Sequence, residues 1–195
     1  MEKFSFSTVK TAVKEAVEVL KLNKDAMHKI ALDEKATLMA FAILLAPFVV
    51  NTLLGTFQGT MFFGLQMKVF LIPVLVTVGG IFLMSLAAQL IFQARGDHMA
   101  FFRVLGFASI IGVVSVVAVL LSVLGISSAY NLFSVVYYLV WIGVLVVSYS
   151  LLMSYYKLNQ QNAIITVVIG IVAMYLLQNI LGTIFIGRYY ELMYL

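Results

Sequence analysis

Few side chains in this 195-residue chain have chemical reach, and their types narrow what they can do. Two histidines, His28 and His98, stand without any cysteine. That is too few imidazoles for a zinc site, with no thiolate to complete one. No serine sits in a Gly-x-Ser-x-Gly turn, no glycine-rich phosphate loop occurs, and no His-Glu-x-x-His helix is present. Catalytic residues, a cofactor and a metal therefore find no support. What remains is hydrogen bonding inside apolar runs: Asn51, Ser85, Gln89, and the pair Gln178-Asn179 beside Tyr175. An amide in hydrocarbon is costly without a partner, so Asn51, Gln89, Gln178 and Asn179 are expected to face inward as an intramembrane polar cluster. Such a cluster acts either as glue between helices, the preferred account, or as the lining of a path for a polar solute.

The second chemical feature is cationic. Seven of the twelve Lys and Arg residues fall in the first 35 positions, although the net charge is only +4. Lys10, Lys14 and Lys21, with Arg95, Asp97 and Arg103, form a candidate surface for anionic lipid heads or a protein partner. Nucleic acid is a poor reading, because no soluble basic domain exists to hold it. The expected partners are membrane lipid, another membrane protein or a small cytosolic factor.

The elements that carry these residues follow from hydropathy. With 64% hydrophobic and 10% charged residues, the composition belongs to a membrane protein. A bilayer core is about 30 Å thick and takes about 20 apolar residues in helical form. Five runs meet that length, at about 36–55, 67–94, 100–125, 131–156 and 162–187. The expected fold is an all-α bundle of five membrane helices over 36–195, preceded by an arm over 1–35. The polar start of the chain, with no small-residue cleavage pattern, argues against a cleaved signal peptide.

Within the arm, residues 7–22 read as an amphipathic helix. Phe6, Val9, Ala12, Val13, Ala16, Val17 and Leu20 fall on one face at 100° per residue, with Lys10, Lys14, Glu15, Glu18 and Lys21 on the other. Such a helix lies in the headgroup plane or packs on the end of the bundle. Asn23 is a stop, Asp25 a cap for a following helix, and Asp33 an N-cap for the first span. Pro47 and Pro73 fall inside the first two spans, where each is expected to kink its helix.

Ten cations lie in the arm and in the joints after spans two and four, against two on the other side, Lys68 and Arg188. The amino terminus is therefore expected inside and the carboxyl terminus outside, in a prokaryotic cell membrane or alternatively that of the ER or Golgi. No ionisable group sits in the middle of a span, which argues against an ion-coupled transporter. In span three, Ala108, Gly112, Ser115, Ala118 and Ser122 share a face, the kind of seam that lets helices approach in lipid. Its expected neighbour is the stripe Tyr130, Ser134, Tyr137, Trp141, Ser148 and Tyr155 of span four. Gly112 and Ser115 should thus pack against Tyr137 and Trp141.

The stretch Gln93–Ala108, QARGDHMAFFRVLGFA, resembles the Yip family, small five-span membrane proteins named for interaction with Rab-type GTPases and found in prokaryotes as well. Arg95-Gly96-Asp97 occupies the family's basic turn, Phe101-Phe102-Arg103 its lead, and Val104-Leu105-Gly106-Phe107-Ala108 the run that opens span three. Trp141 and Ala163 fit as well. The family's proline after that run has no counterpart in Ser109-Ile110-Ile111, and the Asp-Leu-Tyr-Gly-Pro motif of its trafficking members is missing. Rab binding is therefore assigned to no residue. The resemblance implies the five-span architecture and a non-catalytic scaffold or adaptor role through the cytoplasmic face. The alternative is a small-solute channel, permease or transporter accessory subunit.

Overall fold

The computed structural model describes residues 6–57, 63–125 and 129–187, and every regular element among them is helical. Two helices form the arm: α1 (Phe6–Leu20) and α2 (Lys24–Leu32). Six follow: α3 (Ala36–Phe57), α4 (Phe63–Phe92), α5 (His98–Ala108), α6 (Val113–Val123), α7 (Ala129–Ser154) and α8 (Gln160–Gly182). A 3₁₀ turn, Ser109–Gly112, joins α5 to α6, and a π turn, Thr183–Gly187, extends α8.

Among the described residues, four stretches are long and apolar enough to cross a bilayer: Ala36–Leu54, Leu71–Phe92, His98–Leu121 and Gln160–Phe185. Helix α7 runs 26 residues, and its described apolar part is Tyr138–Ser154. The protein is therefore an all-α polytopic membrane protein.

The arm's joints are set by local chemistry. Asn23 is the N-cap of α2, its side chain accepting from the N–H groups of Asp25 and Ala26, which satisfies donors no helical turn can reach. The cap expected at Asp25 thus sits two residues earlier. Asp33 ends α2 and then accepts from the Lys35 N–H ahead of α3, so it serves both helices. Leu22, Gln93 and Lys157 each take a left-handed φ, of 60°, 53° and 57°. Each lies just beyond a helix, and the following N–H reaches back over the end: Asn23 to the Glu18 carbonyl, Ala94 to Ala88, Leu158 to Leu152.

The arm does not stand apart from the bundle. Every residue of α5 from Ala100 to Ala108 is buried, enclosed by α1 and α2 on one side and by α3, α4 and α7 on the others. Helix α1 presses Ala12, Ala16 and Val19 inward and leaves Val9, Val13 and Val17 exposed. The broad apolar face read from the sequence is therefore divided, half of it against the bundle and half unpartnered.

Close approach of α3 to α5 depends on Gly106. A Cβ there would stand 2.7 Å from the Ala40 Cβ and 2.8 Å from its carbonyl oxygen. Helices α4 and α8 interlock reciprocally, with Met174 filling the hollow at Gly80 and Met84 that at Gly170. Pro47 and Pro73 both lie within continuous helices. A change in helical winding also falls in the third span, at Ser109–Gly112, where no proline stands.

The seam of small residues in the third span meets α3 as well as α7. Gly112 faces Pro47 of α3, with a notional Cβ 3.1 Å from the proline Cγ, and the Ser115 hydroxyl accepts from Asn51 Nδ2 of α3 at 3.1 Å. The glycine leaves room for the proline ring, and the hydroxyl gives the amide a partner. α7 also meets this part of the chain, at Gly143 against Ile111. Trp141 is half-buried against the core, and the Tyr137 side chain lies outside the described residues.

Candidate functional site: a polar junction at the arm end

The polar groups of the bundle converge where α4 ends, α5 begins and α7 finishes. Ser85 and Gln89 are four apart on α4 and so share a face. Gln89 Nε2 donates to the Gly96 carbonyl at 2.6 Å, holding the loop between α4 and α5. One turn earlier, Ser85 Oγ is 2.9 Å from His98 Nδ1 and 3.2 Å from the Tyr156 hydroxyl. That hydroxyl donates to the Asp97 carbonyl at 2.6 Å. Asp97 also caps α5, its carboxylate accepting from the N–H groups of Met99 and Ala100. The Tyr156 ring leaves no room for a side chain at Gly96 and stands edge-on to Phe101, with centroids 5.5 Å apart. Tyr155 continues the aromatic row to His28 of α2.

A second node is built on Arg103. Its Nε donates to Thr37 Oγ1 at 2.8 Å and its Nη1 to the Ala31 carbonyl at 2.7 Å. The planar guanidinium thereby satisfies a carbonyl in the last turn of α2 and ties the α2–α3 corner to α5. Arg103, read from the sequence as part of a joint and an exposed binding surface, is an inward residue of α5 with 8% exposure. Asp97 likewise spends its carboxylate on a helix cap rather than on a partner.

Of the candidate surface, Lys10, Lys14, Lys21, Arg95 and Asp97 are exposed. Lys21 pairs with Glu18 at 2.8 Å, and that hydrogen bond, with one from Asn23, holds the Glu18 carboxyl below its ordinary pKa. Lys29 bridges from α2 to Glu15 of α1 at 2.7 Å, and the same contact raises the Lys29 pKa.

The expected intramembrane cluster does not form. Asn51 pairs with Ser115 between α3 and α6, with its Oδ1 buried and unpartnered. Gln89 belongs to the junction, while Gln178 and Asn179 are exposed on α8. Each amide is fixed by the face its helix turns to its neighbours, and these faces do not meet.

The Ser85–His98 distance is that of a nucleophile and its base, yet Ser85 is completely buried and Tyr156 covers it. The junction as built joins α4, the start of α5 and the end of α7. A shallow apolar groove lies elsewhere, between Ile142, Leu145, Val146 and Tyr149 of α7 and Ile164, Val167 and Val168 of α8. Among the described residues, no three His, Asp or Glu side chains gather to hold a metal ion.

Sequence reasoning placed His98 beside Asp97 and did not reach Tyr156 or Thr37. The spacing of Ser85 and Gln89 on one face was the available signal. Compared with family models, curated proteins and solved structures, the chain matches none.

Proposed function

We propose that this protein is a non-catalytic membrane scaffold or adaptor of the Yip-like type, which binds anionic lipid or a partner protein at its arm end. The observation that carries this reading is the outer side of α1. Lys10 and Lys14 are exposed there beside exposed Val9, Val13 and Val17, while the opposite flank is fastened to α5. A rigidly held helix that offers an apolar strip next to ammonium groups has the composition of a lipid-interface or partner-binding face.

In this reading α3, α4, α5 with α6, α7 and α8 are the five spans, the arm end is cytoplasmic and the carboxyl terminus is outside. The joint after α4 and the joint after α7 meet α2 at one end, as alternating crossings require. The permease alternative needs a shared polar lining, and the separation of Asn51, Gln89 and Gln178-Asn179 counts against one built from these amides.

The test is vesicle recovery. The full chain in proteoliposomes with its arm outward should capture added anionic vesicles, and Lys10→Glu with Lys14→Glu should reduce capture severalfold without lowering thermal stability. Equal capture of anionic and neutral vesicles by both proteins would remove the electrostatic basis of the proposal.

A further inference from the structure

Helix α8 carries a seam that its own bundle leaves uncovered. Its inward side, Ala163, Thr166, Gly170 and Met174, is buried against the bundle, chiefly α4. The opposite side holds Ile165, Val168, Val172, Tyr175, Asn179 and Gly182, at steps of three, four, three, four and three. That is the spacing of the two contact positions of a heptad. Exposure is 39% at Ile165, 51% at Val168 and Val172, and 67% at Tyr175. Asn179 is exposed, and nothing lies within 4 Å of where a Gly182 Cβ would be.

Asn179 makes this more than an apolar stripe. It lies 17 residues along from Asn162, about 25 Å of helix. The apolar run continues beyond it to Gly187, so in a core about 30 Å thick the amide faces hydrocarbon. Its Nδ2 donates to the Tyr175 carbonyl of its own helix at 2.8 Å. Among the described residues, its Oδ1 and the whole Gln178 amide have no hydrogen-bond partner. Leaving such groups in lipid is costly.

We infer that α8 is the interface of a parallel homodimer, with Asn179 of one protomer hydrogen-bonded to Asn179 of the other. The choice of occupant follows from geometry and chemistry. All copies of a membrane protein that share one topology place residue 179 at the same depth. A carboxamide both donates and accepts, so an identical amide at equal depth is its complement. Ile165, Val172 and Asn179 occupy one heptad position. A single asparagine among beta-branched residues at that position is a device that fixes register and oligomeric state between helices. Gly182, one step beyond, lets the two backbones approach.

The chain contains no cysteine, so single cysteines report the seam directly. In membranes containing the full-length protein, oxidation should join Val168→Cys and Val172→Cys chains into disulfide-linked dimers. Leu176→Cys and Ile180→Cys, equally exposed but off the seam, should remain monomeric. Independently, energy transfer between labelled full chains diluted in lipid should show self-association. Asn179→Leu should weaken that association about three- to thirtyfold, the worth of one interhelical hydrogen bond in a membrane. Equal cross-linking at all four positions, or no energy transfer in the parent protein, overturns the inference. So does an Asn179→Leu chain that associates as well as the parent while retaining its melting temperature.

Discussion

Tyr156 concentrates more of the fold than any residue near it. Its ring is buried against Phe101 and over Gly96, and its hydroxyl joins Ser85 of α4 to the Asp97 carbonyl at the start of α5. Removing the hydroxyl deletes both bonds and leaves the buried Ser85 with His98 alone. Tyr156→Phe should therefore lose about 1–3 kcal/mol of stability, the usual cost of unpairing buried polar groups. Tyr155→Phe should be close to neutral, because Tyr155 contributes only its ring, to His28 and Tyr156. Thermal melts of the two variants in one detergent check the contrast. Equal melting points would place the stabilisation in ring packing rather than in the hydroxyl.

Between elements, the spacing of helices is decided at glycines, and their sensitivity should differ by what they face. At Gly106 an added methyl meets the Ala40 backbone carbonyl, which cannot move without displacing α3. At Gly112 it meets the edge of the Pro47 ring at 3.1 Å, where a small shift suffices. Gly106→Ala should thus be the more damaging, by about 1–3 kcal/mol, the range of overpacking in a filled core. A Gly112→Ala loss as large as that of Gly106→Ala would show that the α3–α6 contact is the less yielding of the two. Residues of the stretch Gln93–Ala108 lie along this packing. Gly96 makes room for Tyr156, Asp97 caps α5, Arg103 ties the α2–α3 corner, and Gly106 admits α3.

For the whole molecule, the arm, the joint at Arg95 and the joint at Lys157 gather at one end, and the proposed topology puts that end in the cytoplasm. Single cysteines at Ser5, Arg95 and Lys157 should react with an impermeant reagent only after the membrane is opened. One at Leu195 should react in intact cells. Labelling of Ser5→Cys and Leu195→Cys from the same side would require an even number of crossings.

Hydropathy and run length by themselves determined that the chain is helical and membrane-embedded, because hydrocarbon requires backbone groups to be satisfied within each crossing segment. The cap at Asp33 was legible too, since it acts on a donor two residues away, whereas from the sequence Asn23 reads as a stop and Asp97 as part of a surface. Tertiary structure alone decided the partners of the polar side chains. Span length shows that Asn51, Gln89, Gln178 and Asn179 are in apolar surroundings, but not which way each helix is rotated. In a helix that is apolar all round, one face looks like another to the sequence. Rotation and neighbour order sent Asn51 to Ser115, Gln89 to the Gly96 carbonyl, and Asn179 outward. The same physics turned Arg103 inward: a cation counted as exposed by its place in the sequence became buried once the end of α2 offered it a carbonyl.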